Sequence, residues 1–306
     1  MDLVSISTYA MDVLMNVNQL PGEDGFAVVT NNTYTAGGSG TNVVAQAARL
    51  GAECGWLGLI GDDSLGRDII KGLEVEGIDA SHVLKKENGI SLHTDVVIAD
   101  DGKKFILLNM GNAFLAYDAK DVDKEYISKG KVFYTDLLPY PAALEGLKAA
   151  KEAGLKTGFN MQVDLNTMNG FGVSKEAIID SLKYVDLFSP CRAGLYQMSG
   201  TEDLEECHRY IRQFFKGTIV VTLGGKGSVG WDADDNMFTQ PVMTGIDIVD
   251  TTGAGDSFMG AMMYAYLLKG YKLEKALRFA TICAGITCTK LGARSGPDEK
   301  TVLELL

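Results

Sequence analysis

The stretch "KVFYTDLLPYPAALEGLKAAKEAGLKTGFNM", residues 131–161, reads as strand, helix, strand. Residues 131–138 and 155–161 are apolar, β-rich runs. Between them, residues 141–154 carry Pro141 where a first helical turn accepts it and Gly154 where a helix stops. The same rhythm recurs at "CGWLGLIG" (54–61) and "LGRDIIKGLEVEG" (65–77), whose apolar positions 69, 70 and 73 follow helical spacing. "YVDLFSP" (184–190) and "GTIVVTLGG" (217–225) add further buried strands. Strands alternating with helices predict an α/β fold, a central mostly parallel sheet covered on both faces.

Two segments depart from that rhythm. "GFAVVTNNTYTAGGSG" (25–40) and "ISLHTDVVIADDGKKFILLNMG" (90–111) alternate apolar and polar residues, with a hairpin signal at Asp101-Gly102. They predict a small β-sheet lid built from inserted segments about 13–40 and 88–113, and no linker or repeat divides the rest. The expectation is one α/β domain over residues 1–306.

Bulk properties narrow the function. A net charge of −12 argues against nucleic acid or an anionic membrane as partner, because both select a basic surface. The five cysteines are odd in number and form no CxxC pair, which suits a reducing cytoplasm. "MDLVSISTYAMDVLM" (1–15) lacks a basic leader and reads as a strand, with Asp12 at its end. The longest apolar run, Phe258 to Leu268, is too short for a bilayer.

The glycine loops exclude several chemistries. No G-x-x-x-x-G-K-[ST] occurs. The G-x-G-x-x-G at Gly225, Gly227 and Gly230 is followed by "WDADDNMFTQP", a turn and strand, whereas a dinucleotide fingerprint opens a helix. No kinase HRD or DFG accompanies it, so it reads as a hairpin turn. Three histidines without metal spacing and no G-x-S-x-G leave zinc chemistry and triad hydrolysis unsupported. "VDTTGAGDSF" (249–258) differs: glycines open a helix, whose free N–H groups attract an anion. Asp256 is then either an N-cap or an acid placed beside an anion site. In "GGSGTNVVAQAARLG" (37–51), Asn42 is likewise either an N-cap or an amide for vicinal sugar hydroxyls, and Asp12 can accept hydroxyl protons in the same way.

Together, "GGSGTNVVAQAARLGAECGWLGLIGDDSLG" (37–66), "VTLGGKGSVG" (221–230) and "VDTTGAGDSFMGAMMYAYL" (249–267) resemble the signatures of the ribokinase family, the PfkB carbohydrate kinases, in order and over nearly the whole chain. The resemblance implies a ribokinase-like fold and ATP-dependent phosphorylation of a hydroxymethyl group on a sugar or nucleoside. It places Asp256 as catalytic base, and the N–H groups of Gly253, Ala254 and Gly255 as an anion hole. It implies that Asp12, Gly38, Ser39 and Asn42 bind the acceptor, with Asn109 and Asn112 as further contacts near the lid. ATP falls to Thr222, Gly224, Gly225 and Gly227, with Mg²⁺ as its companion. Asp250, Thr252 and Gly292 match positions that hold a monovalent cation, K⁺ in the simplest case. Some members dimerise through the lid, so a homodimer of that kind is an open expectation.

The chain also departs from that pattern. Where the family carries N-x-x-E, whose glutamate organises Mg²⁺, this chain has Cys191-Arg192-Ala193-Gly194. Asn160 stands at a usual strand-end aspartate and Ser7 at a usual glycine. Ser39 stands where many sugar-phosphate kinases, and ribokinases as well, carry a lysine; it removes one cation, which leans toward an uncharged acceptor. The departures admit a second function class, a nucleotide- and sugar-binding protein of the same fold with weak or no turnover.

Overall fold

The structure, a computed structural model, describes residues 1–306. The first half runs β1 (Leu3–Ile6), β2 (Ala10–Val17), β3 (Val29–Gly37), α1 (Ser39–Arg49), β4 (Cys54–Leu57), β5 (Leu59–Gly61), α2 (Ser64–Val75), β6 (Leu84–Lys86), β7 (His93–Ala99), β8 (Lys104–Asn109), α3 (Lys124–Ser128), β9 (Val132–Thr135) and α4 (Tyr140–Glu152). The second half runs β10 (Lys156–Met161), α5 (Leu165–Gly170), α6 (Lys175–Ser181), β11 (Leu187–Pro190), α7 (Arg192–Ser199), α8 (Leu204–Ile211), β12 (Thr218–Thr222), β13 (Ser228–Trp231), β14 (Met237–Gln240), α9 (Ala254–Met262), α10 (Leu273–Thr287) and α11 (Glu299–Leu303).

Eight strands form the central sheet in the order β14-β13-β12-β11-β10-β9-β1-β4. The six from β12 to β4 are parallel, and β13 and β14 close one edge as antiparallel hairpins. Strands β1, β4, β9 and β11 are buried at every position, which is why they read as unbroken apolar runs rather than alternating ones. Helix α4 follows its reading closely, with Pro141 in the first turn and Gly154 just past the end at φ 80°. No helix is long and apolar enough to cross a membrane.

The lid is a separate four-stranded sheet in the order β3-β2-β7-β8. Its pairs are antiparallel except β2 with β7. The N-terminal stretch read as one strand is two: β1 belongs to the core and β2 to the lid, with the change of sheet at Ser7–Tyr9. The lid therefore begins at Ala10, and Asp12 lies on a lid strand instead of at the end of a core strand. Likewise "CGWLGLIG" divides into β4 in the core and β5, which pairs with β6.

Helix α9 begins after Gly253, whose φ of 76° suits glycine and whose missing Cβ would come within 2.5 Å of Ala293 Cα. Farther along, a Cβ on Gly260 would reach 2.4 Å from Val43 O, so this glycine lets α9 lie close against α1. The two helix N-termini are thereby brought side by side.

Candidate active site

Asp256 sits in the first turn of α9, and its carboxylate points across to α1. Its Oδ1 accepts a hydrogen bond from Ser39 Oγ, and its Oδ2 accepts one from Asn42 Nδ2 at 2.9 Å. This corrects both N-cap readings. The cap of α9 is Gly253 without a side-chain bond, and the cap of α1 is Gly38, so Asp256 and Asn42 both lie inside their helices. Asn42 is buried, and its Oδ1 accepts from Arg294 Nε at 3.0 Å. Burial pushes the Asp256 carboxyl above its ordinary value, against the pull of Ser39, Asn42 and the Arg294 charge.

Around Asp256 the backbone offers the donors expected at a helix start. Ala254 N–H is engaged with Thr251 O at 3.2 Å, whereas Gly253, Gly255 and Asp256 N–H make no bond within the chain. Of the expected anion hole, Gly253 and Gly255 thus retain free donors, and Asp256 itself adds one.

Two cavities lie near this point, and Asp256 lines the smaller of them. The wider, of about 1070 Å³, lies between lid and body. Its walls include Asp12, Leu14, Thr94 and Val96 from the lid, and Lys71, Asp250, Gly292 and Arg294 from the body. Asp12 accepts from Thr94 Oγ1 there. The smaller, of about 240 Å³, holds Asp256, Ser39, Gly255, Asn160, Gln162, Ser189, Cys191 and Thr222. Asn42 and Arg294 link the two, since Arg294 lines one and holds Asn42 against the carboxylate that lines the other.

The remaining sequence candidates are placed unevenly. Asp250 Oδ1 accepts from Thr252 N and Oγ1, and Oδ2 accepts from Gly292 N at 3.0 Å, so these three meet. The Gly292 and Thr252 donors hold Asp250 below the usual carboxylate range. Thr222 ends β12 at the smaller cavity, and Gly224 and Gly225 lie on the open turn beyond it. Gly227, with φ 89°, packs against Gln240 O as a hairpin residue. Asn109 and Asn112 border neither cavity; their Oδ1 atoms accept from Gly111 N and Ile90 N and brace the chain after the lid.

Residues the sequence reading passed over complete the site. Arg294 follows Gly292 in "GARSGP", yet nothing local signals that it reaches Asn42. Asp136, at the end of β9, is fully buried and accepts from Thr8 N at 2.8 Å, Gln162 Nε2 at 2.7 Å, Leu138 N at 3.2 Å and Thr8 Oγ1. Burial raises its carboxyl to about 7 despite these donors. Asp136 thus grips Thr8, where the chain passes from core sheet to lid.

Cys191 caps α7, its Sγ accepting from Gly194 N at 3.3 Å. A Cβ on Gly194 would stand 2.7 Å from Met161 Cε and 3.2 Å from Val163 O, so a larger side chain there requires the end of Met161 to move aside. Asp256 is the one carboxylate among the smaller cavity's walls, and no three His, Cys, Asp or Glu side chains group to hold a metal. A Mg²⁺ ion here would draw most of its ligands from nucleotide phosphates and water, with Asp256 as the one carboxylate on the wall.

The pfkB family carbohydrate kinase model matches residues 1–300. The chain is 29% identical to the ATP-dependent ribose-1-phosphate kinase of Halopiger xanaduensis, over 96% of its own length and 94% of the relative's. It is 26% identical to a bifunctional ribokinase/ribose-5-phosphate isomerase A of Fructilactobacillus sanfranciscensis, spanning 99% of its own length and 56% of that longer protein. The structure of Arabidopsis thaliana ribokinase complexed with ribose and ATP superposes with a TM-score of 0.87 at 26% identity, covering 99% of this chain and 98% of that one.

Proposed function

The chain belongs to the pfkB family of carbohydrate kinases, and from that premise we propose an ATP-dependent sugar or nucleoside kinase with Asp256 as general base. The observation that carries the reading is one carboxylate at the start of α9, beside free N–H groups, on the wall of the smaller cavity and linked to the lid cleft through Asn42 and Arg294. The lid cleft receives the acceptor, with Asp12 toward its hydroxyls, while Asn42 borders neither cavity and acts behind Asp256; the smaller cavity leads to Thr222 and the nucleotide. A hydroxymethyl O–H meeting Asp256 gives up its proton as the oxygen attacks the γ-phosphorus, and ADP leaves. Gly253, Gly255 and Asp256 N–H groups face the charge on the transferring phosphoryl.

The cleft walls carry three cations, Lys71, Lys104 and Arg294, against four carboxylates, Asp12, Asp68, Glu76 and Asp250. That balance favours an uncharged acceptor over a sugar phosphate. Magnesium enters with the nucleotide phosphates, and no step here depends on a protein ligand to it. Asp250, tying Thr252 to Gly292, offers a fixed negative charge for a monovalent cation such as K⁺. The exposed edge strand β8 supports a homodimer through the lid, and the five free cysteines support a cytoplasmic setting.

ADP release measured across pooled sugars and nucleosides tests the assignment, with Asp256→Asn as the control. ATP binding without turnover on any acceptor favours the second reading, a binding protein of this fold. Cys191-Arg192-Ala193-Gly194, with no carboxylate and with Gly194 against Met161, is the observation behind that alternative.

A further inference from the structure

We propose that Arg294 is a positioning residue for Asp256, acting through the amide of Asn42. The inference rests on Asp256 being the base. Arg294, part-buried on the wall of the lid cleft, makes no salt bridge. Its guanidinium donates instead to neutral acceptors: Asn42 Oδ1 at 3.0 Å, Thr41 Oγ1 at 3.0 Å, Gly37 O at 3.2 Å and Gly72 O at 3.3 Å. It therefore ties the segment after α10 to α1, to the end of lid strand β3, and to α2.

A guanidinium only donates, so Asn42 must turn its oxygen toward Arg294. The NH₂ of the same amide then faces Asp256 Oδ2. A flipped amide would set its oxygen against the carboxylate and an N–H₂ against the guanidinium, unfavourable at both ends. Arg294 thus holds Asn42 in the one orientation that steadies the base. Its charge also favours ionised Asp256, against burial. Other groups bear on the pair: Tyr134 of β9 senses the Asp256 charge, while Asp12 of the lid, Glu76 after α2 and Arg49 of α1 act on the guanidinium.

The test compares Arg294→Met, Arg294→Lys, Asn42→Ala and the Arg294→Met/Asn42→Ala double variant in ATP-dependent phosphorylation, reading kcat, KM and the pH profile. Arg294→Met is expected to lower kcat about tenfold or more, with KM for ATP changed by less than about threefold. The acid limb of its profile moves to higher pH, because Asp256 loses a charge that keeps it ionised. Arg294→Lys restores part of both effects, and the double variant is little worse than the poorer single one. An unmoved acid limb, or losses that add fully in the double variant, overturns the inference. Should Arg294→Met fail to fold, Arg294→Gln keeps a donor without the charge, and an unmoved limb there is equally decisive. Asp256→Asn separates the two levels. If it still phosphorylates, the base assignment fails; if it is inactive while the Arg294 variants behave as wild type, only this inference fails.

Discussion

Asn42 and Asp256, 214 positions apart, meet through Asn42 Nδ2 and Asp256 Oδ2 at 2.9 Å. The contact joins the first turn of one helix to the first turn of another, and so ties Asp256, the proposed base, to the helix that follows the lid strand β3. It exists because α1 and α9 lie close enough at Gly260 for their N-termini to converge.

Asp256→Asn keeps the shape of that contact and removes the proton acceptor. We expect kcat to fall by about a hundredfold to ten-thousandfold, the usual worth of a positioned base. ATP and acceptor affinity, followed by calorimetry, should change little. Turnover near the wild-type rate would assign the base elsewhere.

Asp136 gives the fold a pH signature. Its carboxyl is raised to about 7 by burial, whereas an unfolded aspartate titrates near its ordinary value of about 4. Between those values the folded chain holds the extra proton, so the contribution of Asp136 to stability falls as pH rises through that window. The slope can reach about 1.4 kcal/mol per pH unit for one proton. Asp136→Asn should flatten the dependence of urea-unfolding free energy on pH between about 4 and 7 relative to wild type. An unchanged slope would show that Asp136 does not titrate in this range.

Gly194→Glu reintroduces the family's glutamate where Met161 and the Val163 carbonyl already stand. The variant should be destabilised by about 1–3 kcal/mol, with no gain in magnesium-dependent turnover. Adding Met161→Ala opens the room and should recover part of the melting temperature. A stable Gly194→Glu with faster turnover would mean that the loop yields easily.

Leu107 is 56% exposed on edge strand β8, beside Phe105, Ile106 and Leu108 at 38%, 55% and 52%. It belongs to the cross-strand row Val13–Asp95–Leu107, opposite the face carrying Asp12 and Thr94. If two lids pair in solution, Leu107→Lys should shift the sedimenting species from dimer to monomer. A wild-type monomer would remove the lid from the list of interfaces.

What the chain announces locally is substantial. The buried strands, the Pro141 and Gly154 boundaries of α4, the hairpin at Asp101-Gly102 and the helix opening at Gly253 depend on periodicity and backbone preference within a few residues, so they are legible from sequence alone. The split of the N-terminal run into β1 and β2 was not, because both halves are apolar and only pairing partners assign them to different sheets. The site divides in the same way. Glycines ahead of a helix foretell an anion site, since the donors belong to neighbouring residues. That Asp256 faces Ser39 and Asn42 instead of capping its helix, that Arg294 stands behind Asn42, and that Gly194 lies against Met161 are decided by packing. Those contacts are made between segments far apart in the chain, where no local preference of the residues records which partner they will find.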